Sequence, residues 1–194
     1  MYLAVFKAIV MSKKIAIIGG GNLGTAIAEG LISSNFISPE NITITKRNIA
    51  TLEALSSKGV NVTSDNIAAV QSSDYIILAV KPFQLKDVLL QIKSSLQSSK
   101  HVLISVATGI WMKDMQEIIG NNFSIFRAMP NTAIAIQESI TCIASQNTTD
   151  EQNKFVTDLF NQLGKSVIIE EKLMDAATVL GACGTAYALR FIRA

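Results

Sequence analysis

The chain has 194 residues, of which 49% are hydrophobic and 16% are charged. That much apolar material over that length can form a sizeable buried core and indicates a globular protein. The 17 basic and 15 acidic residues are scattered without runs and leave a formal net charge of +2, so the sequence indicates no nucleic-acid partner. Its apolar runs fall far short of the roughly 20 residues that a membrane-spanning helix needs, so no membrane partner is expected either.

The cysteines and the amino terminus bear on the cellular compartment. Cys142 and Cys183 are the two cysteines, and they have neither the spacing of a zinc site nor that of a disulfide framework. No metal site is predicted, and a reducing, cytoplasmic location fits this pattern best. Residues 1–12 are interpreted as an N-terminal extension, because Lys7 interrupts the apolar run and no signal-peptide cleavage site follows. Met11 is favoured as the natural start over an ordered arm.

Short apolar runs alternate with longer amphipathic stretches, and this rhythm predicts strand–helix units. The predicted strands are Ile15–Ile18, Ile42–Thr45, Val60–Thr63, Tyr75–Val80, Val102–Val106, Ser124–Arg127, Ile140–Ala144 and Ser166–Ile169. The predicted helices are Leu23–Ser33, Ile49–Lys58, Phe83–Leu96, Trp111–Ile119 and Asp150–Leu163. Thr148 and Glu151 form a capping-box pattern at the last of these helices, and Gly164 is expected to end it.

The predicted fold class is α/β, with a Rossmann-type, doubly wound and mainly parallel sheet. Residues 13–170 are expected to form this domain. From Lys172 onward the pattern changes to one continuous helix with no strand after it. Residues 171–194 are therefore expected to begin a second, all-α domain.

A glycine cluster follows the first predicted strand, in the segment KIAIIGGGNLG. Gly19, Gly21 and Gly24 form the pattern GxGxxG at the start of a strand–helix–strand unit. In that context the first glycine permits a tight turn, the second lets pyrophosphate approach the backbone at a helix N-terminus, and the third permits close strand–helix packing. The pattern predicts dinucleotide binding, with a glycine-rich turn that only packs closely as the alternative.

The end of the second predicted strand bears on which dinucleotide is bound. Sites that prefer NAD place an acid there to bind the ribose 2′-hydroxyl, whereas this chain has Thr45-Lys46-Arg47-Asn48. A guanidinium or ammonium group suits a 2′-phosphate, because Arg donates parallel hydrogen bonds to phosphate oxygens. The sequence therefore favours NADP(H), with NAD(H) as the second option. Alternatively, Lys46 and Arg47 are solvated charges before a helix that Asn48 caps.

Three further turns follow predicted strands, at the strand ends where open α/β sheets bind ligands. They are Ala79-Val80-Lys81-Pro82, Ser105-Val106-Ala107-Thr108-Gly109 and Arg127-Ala128-Met129-Pro130-Asn131-Thr132. With the glycine motif, these turns resemble those of the pyrroline-5-carboxylate reductase family over nearly the whole chain from Ile15. The resemblance implies NADP(H)-dependent reduction of 1-pyrroline-5-carboxylate to L-proline, by hydride transfer to a cyclic imine.

The resemblance also implies which residues bind the cofactor. The glycine turn would line the pyrophosphate, Thr45 and Arg47 would face the adenosine phosphate, Asn66 would lie by the adenine ribose, and the two later turns would border the nicotinamide. The expected cofactor-binding residues are Ile18, Gly19, Gly20, Gly21, Asn22, Leu23, Gly24, Thr45, Lys46, Arg47, Asn66, Ala79, Val80, Lys81, Pro82, Val106, Ala107 and Thr108. No catalytic residue is assigned. Lys81 is interpreted as part of a turn that Pro82 defines, with a buried lysine of lowered pKa as the alternative.

Other polar and aromatic residues are given structural interpretations. His101, the only histidine, is expected to have a structural or surface role, not an acid–base one. Tyr75 and Trp111 are interpreted as packing or edge residues. A group of acids is interpreted as favourable charges at a helix N-terminus and not as a catalytic carboxylate pair. This group is Glu170, Glu171 and Asp175.

The start of the second domain departs from the family pattern. The family has a Ser-Gly-Ser-Gly-Pro-Ala-Tyr-like segment there, whereas this chain has Gly181-Ala182-Cys183-Gly184-Thr185-Ala186-Tyr187. Loss of the proline permits a more continuous helix. Cys183 replaces a serine, and a nucleophilic role for it is disfavoured because no histidine lies near it in sequence.

The resemblance implies that further helices and a partner subunit complete the substrate half of the site, in a homodimer or a higher homo-oligomer. A chain ending at Ala194 therefore looks truncated, and is expected to bind NADPH, to reduce pyrroline-5-carboxylate negligibly and to self-associate through its final apolar helix. Two alternatives to the family function remain. One is another NADP-linked oxidoreductase of the β-hydroxyacid dehydrogenase type, and the other is a non-catalytic dinucleotide-binding protein.

Overall fold

The computed structural model describes residues 12–193, so the predicted extension lies almost entirely outside the described residues. Eight strands form one sheet in the order β3-β2-β1-β4-β5-β6-β7-β8. The strands are β1 (Ile15–Ile18), β2 (Ile42–Thr45), β3 (Asn61–Thr63), β4 (Tyr75–Leu78), β5 (Val102–Ser105), β6 (Ser124–Met129), β7 (Ser139–Gln146) and β8 (Gly164–Ile168). Each predicted strand overlaps one of these, and neighbouring strands are parallel except for β6 and β7. The prediction of a Rossmann-type, mainly parallel sheet is confirmed.

The helices cover both faces of this sheet. They are α1 (Asn22–Ser33), α2 (Glu53–Ser56), α3 (Asn66–Gln71), α4 (Pro82–Ile92), α5 (Met112–Ile119), α6 (Asp150–Asn161), α7 (Met174–Ala177) and α8 (Gly184–Arg193). All four residues of β1 are buried, because α1 and α6 pack on one face and α3, α4 and α5 on the other. A strand that is covered on both faces favours apolar residues at every position, which explains the unbroken run of apolar residues in β1.

Several helix predictions need correction. Helix α3 was not predicted; Asp65 caps it by accepting hydrogen bonds from Ile67 N and Ala68 N at 2.8 and 3.1 Å. Helix α2 is a single turn that follows a 3₁₀ turn over Ile49–Leu52, so the predicted helix Ile49–Lys58 is too regular.

The capping box of α6 is shifted by one residue from the predicted pair. Thr149 Oγ1 accepts a hydrogen bond from Gln152 N at 3.2 Å, and Gln152 Oε1 accepts one from Thr149 N at 2.9 Å. Helix α6 ends at Asn161, before the predicted end. Gly164 instead begins β8, where its φ of 139° is in the region that favours glycine.

The C-terminal segment, residues 171–193, is helical but is not the single helix predicted. A five-residue π-helical turn over Thr178–Ala182 separates α7 from α8. Thr178 Oγ1 donates to Met174 O at 2.8 Å, and Cys183 N donates to Thr178 O at 3.1 Å. Back-bonding of a threonine hydroxyl and the weak helix propensity of Gly181 and Gly184 favour such an interruption.

The described part of the chain has neither a candidate membrane-spanning helix nor a candidate metal-binding cluster. Among residues 12–193, no helix combines the length and the apolar character needed to cross a membrane. The same residues contain no group of three or more His, Cys, Asp and Glu side chains placed to hold a metal ion.

Candidate functional site

The carboxyl ends of four central strands meet at one edge of the sheet. Ile18, at the end of β1, pairs with Thr45 on β2 and with Leu78 on β4, and Leu78 pairs with Ser105 on β5. The glycine turn, the Lys46–Arg47 pair and the turns after β4 and β5 therefore lie side by side. This strand-end edge is where open α/β sheets bind ligands.

The glycine turn is tightly packed except at Gly21. Gly19 has a φ of 113°, and a Cβ atom there would lie 2.6 Å from Ala79 O. A Cβ atom on Gly24 would collide with Gly19 O, so both positions require glycine. A Cβ atom on Gly21 would meet nothing within 4 Å. Since Gly21 is also the N-cap of α1 and supplies no side-chain cap, open space lies in front of a helix N-terminus, which suits an anionic group.

Thr45 holds this turn in place from the neighbouring strand. Its side chain is 2% exposed, and its Oγ1 accepts a hydrogen bond from Gly19 N at 3.3 Å. Its carbonyl oxygen accepts a second one from Gly20 N at 2.6 Å. Thr45 therefore faces the glycine turn, and the contact with an adenosine phosphate that the resemblance implies stays a prediction.

The residues after Thr45 carry positive charge to the surface of the strand-end edge. Lys46 is half-buried and its N–H donates to Thr63 O at 3.0 Å, whereas Arg47 is exposed. Asn48 accepts a hydrogen bond from Ala50 N at 3.2 Å and caps the following 3₁₀ turn, which is the capping role that the alternative interpretation of residues 46–48 gave it. Asp65, which follows β3, is engaged in capping α3. The cations after β2 can thus hold a phosphate group, and no acid stands among residues 45–48.

The turns after β4 and β5 form the other side of the edge. Lys81 is exposed at the N-cap of α4 with Pro82 in the first turn, so it is not a buried lysine. Ala107 is buried and its N–H donates to Ser105 Oγ at 3.3 Å, while Thr108 is exposed. Thr108 Oγ1 contacts Met129 Sδ at 3.8 Å, which joins this turn to the end of β6.

Asn66, one of the residues predicted to bind the cofactor, has a side-chain hydrogen-bond partner within the protein. It is the first residue of α3, and its Nδ2 donates to Gln91 Oε1 on α4 at 2.9 Å. Its side chain therefore links two helices in this structure.

The sequence analysis missed a buried ion pair next to this edge. Arg127 on β6 is 2% exposed, and its Nη1 donates to Glu171 Oε1 at 2.9 Å. Its guanidinium carbon also lies 5.3 Å from the ring centroid of Trp111. Glu171 is thus not simply an acid at a helix N-terminus. The available signal was an arginine among the apolar residues that follow Ser124 in the strand Ser-Ile-Phe-Arg-Ala-Met.

Two other residues have the structural roles expected of them. Tyr75 is buried and stacks on Phe155 with ring centroids 4.1 Å apart, and burial raises the pKa of its hydroxyl. His101 is buried beside the first residue of β5, and its Nδ1 accepts a hydrogen bond from Gln97 N at 2.9 Å. Burial, with Lys100 as the second cause, lowers the pKa of His101 below its ordinary value.

The sheet order and the glycine turn at the end of β1 define a Rossmann-type α/β domain. Residues 14–109 match the family model described as NADP oxidoreductase, coenzyme F420-dependent. Pyrroline-5-carboxylate reductase 1 of Dictyostelium discoideum is 38% identical over 192 residues, which cover 93% of this chain and 35% of that protein. Pyrroline-5-carboxylate reductase of Methanosarcina acetivorans is 35% identical over 185 residues, which cover 94% of this chain and 68% of that protein.

A solved structure that resembles this chain is also a pyrroline carboxylate reductase. The crystal structure of Plasmodium falciparum pyrroline carboxylate reductase with NADP bound matches with a TM-score of 0.85 and 31% identity, covering 95% of this chain and 68% of that one. The chain belongs to the pyrroline-5-carboxylate reductase family, as its turns predicted. It spans about one third of the Dictyostelium relative and about two thirds of the Methanosarcina one.

Proposed function

We propose that this chain binds NADP(H) at the strand-end edge and takes part in the reduction of 1-pyrroline-5-carboxylate to L-proline. The observation that carries the proposal is the open space in front of Gly21, at the N-terminus of α1. Because Gly19 and Gly24 admit no side chain, the turn packs closely against Ala79 and against the first turn of α1 while the space before Gly21 stays open. Family membership supports the choice of reaction.

The proposed cofactor contacts follow the strand order. Backbone N–H groups at the start of α1 would bind the pyrophosphate, and Arg47 with Lys46 would bind the adenosine 2′-phosphate. The turns Ala79–Pro82 and Val106–Thr108 would border the nicotinamide ring. Asn66 is assigned to the adenine side, provided that its amide leaves Gln91 on binding.

The proposed hydride transfer does not require a side chain that acts as a general acid or base. A protonated pyrroline nitrogen leaves the C=N carbon strongly electrophilic, and bound NADPH supplies the hydride. The residues of the edge then have to hold the cofactor ring at the right distance and exclude water. This fits the strand-end edge, where Lys81 and Thr108 are exposed. His101 precedes the first residue of β5, so it lies at the opposite edge of the sheet.

The test uses the protein as the cell produces it, with two separate measurements. Calorimetry should show NADPH binding, and NADPH oxidation should depend on added pyrroline-5-carboxylate. A 2-oxo acid serves as the rival substrate, because an enzyme of the β-hydroxyacid dehydrogenase type would use it. Oxidation with the oxo acid alone would overturn the proposed reaction, and absence of NADPH binding would overturn the proposed site.

We also propose that the protein forms a homodimer or a higher homo-oligomer in the cytoplasm. Helix α8 carries large exposed apolar side chains, with Phe191 87% and Ile192 80% exposed, and such a surface favours association. Light scattering of the wild type should give the mass of a dimer or a larger oligomer. The double variant Phe191→Ser, Ile192→Ser should have a lower mass. Cell fractionation checks the location.

A further inference from the structure

The Arg127 cluster, which we define as Arg127, Glu171 and Trp111, contains a buried cation that the proposed function does not use. Arg127 projects from β6, yet only 2% of its side chain is exposed. Its Nη2 is buried and has no hydrogen-bond partner among residues 12–193. A buried charge is costly unless it is paired, so the carboxylate of Glu171 is what makes this arginine tolerable in the sheet.

One oxygen of Glu171 joins three parts of the fold. Glu171 Oε1 accepts from Arg127 Nη1 at 2.9 Å and from Met112 N at 2.7 Å. Met112 is the first residue of α5, where the unpaired N–H groups and the helix dipole favour an anion. The carboxylate therefore ties the C-terminal segment both to β6 and to the N-terminus of α5.

The C-terminal segment has few other attachments to the sheet. Met174 is buried against the sheet, whereas most of the side chains after it are exposed. Asn131 Nδ2 donates to Gly181 O at 3.4 Å, at the π-helical turn. Both Arg127 and Asn131 come from β6 and the turn after it, so the segment is positioned relative to that strand.

We propose that Arg127 is a positioning residue that acts through Glu171. The pair holds the C-terminal segment against the strand-end edge, where Met129 at the end of β6 contacts Thr108. In the absence of the pair, Met174 and the Asn131 contact alone would hold the segment. The segment would then detach locally more often while the sheet stays folded.

Glu171→Ala tests this proposal, with Glu170→Ala as the matched control. Glu170 is the adjacent acid, and it pairs with Lys172 at 2.6 Å, where both side chains are exposed. By hydrogen exchange, Glu171→Ala should speed exchange of residues 174–193 by about tenfold or more, while the amides of β1 and β4 keep their protection. Glu170→Ala should leave exchange of the segment unchanged.

Trp111 supplies a second measurement, because it is the only tryptophan in the chain. Its fluorescence should change in Glu171→Ala, since the guanidinium that lies over its ring loses its anchor. Glu170→Ala should not change it.

If Glu171→Ala unfolds the sheet, a double variant still tests the proposal. Arg127→Met with Glu171→Met removes both charges and leaves no unpaired buried cation, so the sheet should stay folded. Residues 174–193 should still exchange faster than in the wild type. Wild-type exchange of the segment in this variant, or an equal effect of Glu170→Ala, would overturn the proposal. Both measurements are made without NADPH, so their outcome does not depend on the proposed function.

Discussion

Thr45 on β2 binds both of the first two N–H groups of the glycine turn. Its hydroxyl accepts from Gly19 N at 3.3 Å, and its carbonyl accepts from Gly20 N at 2.6 Å. These bonds connect the proposed pyrophosphate turn with the strand whose end carries Lys46 and Arg47. The two halves of the proposed adenosine diphosphate site are thereby held as one unit.

Thr45→Val should weaken NADPH and NADH to a similar extent. Valine keeps the shape of the side chain but leaves Gly19 N without its acceptor, which costs about 0.5 to 1.5 kcal/mol. Calorimetry with both cofactors measures the loss, and Thr45→Ser, which keeps the hydroxyl, should restore most of it. A loss confined to NADPH would mean that Thr45 contacts the 2′-phosphate directly.

Arg47→Ala should reduce the preference for NADPH over NADH. Loss of charge-assisted hydrogen bonds to the 2′-phosphate should cost NADPH binding about 1.5 to 3 kcal/mol and leave NADH binding nearly unchanged. The same calorimetric titrations check it. Lys113→Ala is the control, because it removes an exposed cation on α5. Equal affinity of the wild type for the two cofactors would contradict the proposed role of Arg47.

Gly21→Val and Gly24→Ala should fail in different ways. A side chain on Gly21 meets no protein atom within 4 Å, so Gly21→Val should keep its unfolding temperature and lose binding of both cofactors. A methyl group on Gly24 meets Gly19 O, so Gly24→Ala should unfold at a lower temperature. Thermal unfolding and calorimetry on both variants separate the two effects. Retained cofactor binding by Gly21→Val would contradict the proposed pyrophosphate site.

His101 should make the protein less stable as the pH falls from 7 to 5. Burial lowers its pKa in the folded chain, so the unfolded chain binds the proton more readily. The stabilisation is complete above the unfolded pKa of about 6.5 and is lost as the pH falls towards the folded pKa. In the folded chain Nδ1 accepts a hydrogen bond from Gln97 N. A protonated Nδ1 could no longer accept this bond, and two N–H donors would then face each other.

Thermal unfolding across that pH range measures the effect of His101. Because the chain has a single histidine, His101→Gln should show a smaller decrease in unfolding temperature between pH 7 and pH 5. An equal decrease in both proteins would assign the pH dependence to the carboxylates instead.

The sequence determined the features that depend on local chemistry. The run Ile15–Ile18 is apolar at every position because β1 is covered on both faces, and the glycine spacing after it marks a turn whose backbone geometry requires glycine. These signals were sufficient for the fold class and for the place of the proposed cofactor site. The cap of α6 shows the limit of local signals. Thr148 and Thr149 are both suitable N-cap residues, and the observed capping box starts one residue after the predicted one.

Only the tertiary structure decided which partners distant polar residues have. Thr45 and Gly19 lie 26 residues apart in sequence, and Arg127 and Glu171 lie 44 apart. The periodicity of the sequence cannot predict such a pair, because the two residues come together only when the sheet has formed with its strands in the observed order. The low solvent exposure that makes the Arg127–Glu171 pair consequential is likewise a property of the packed layers and not of either residue alone.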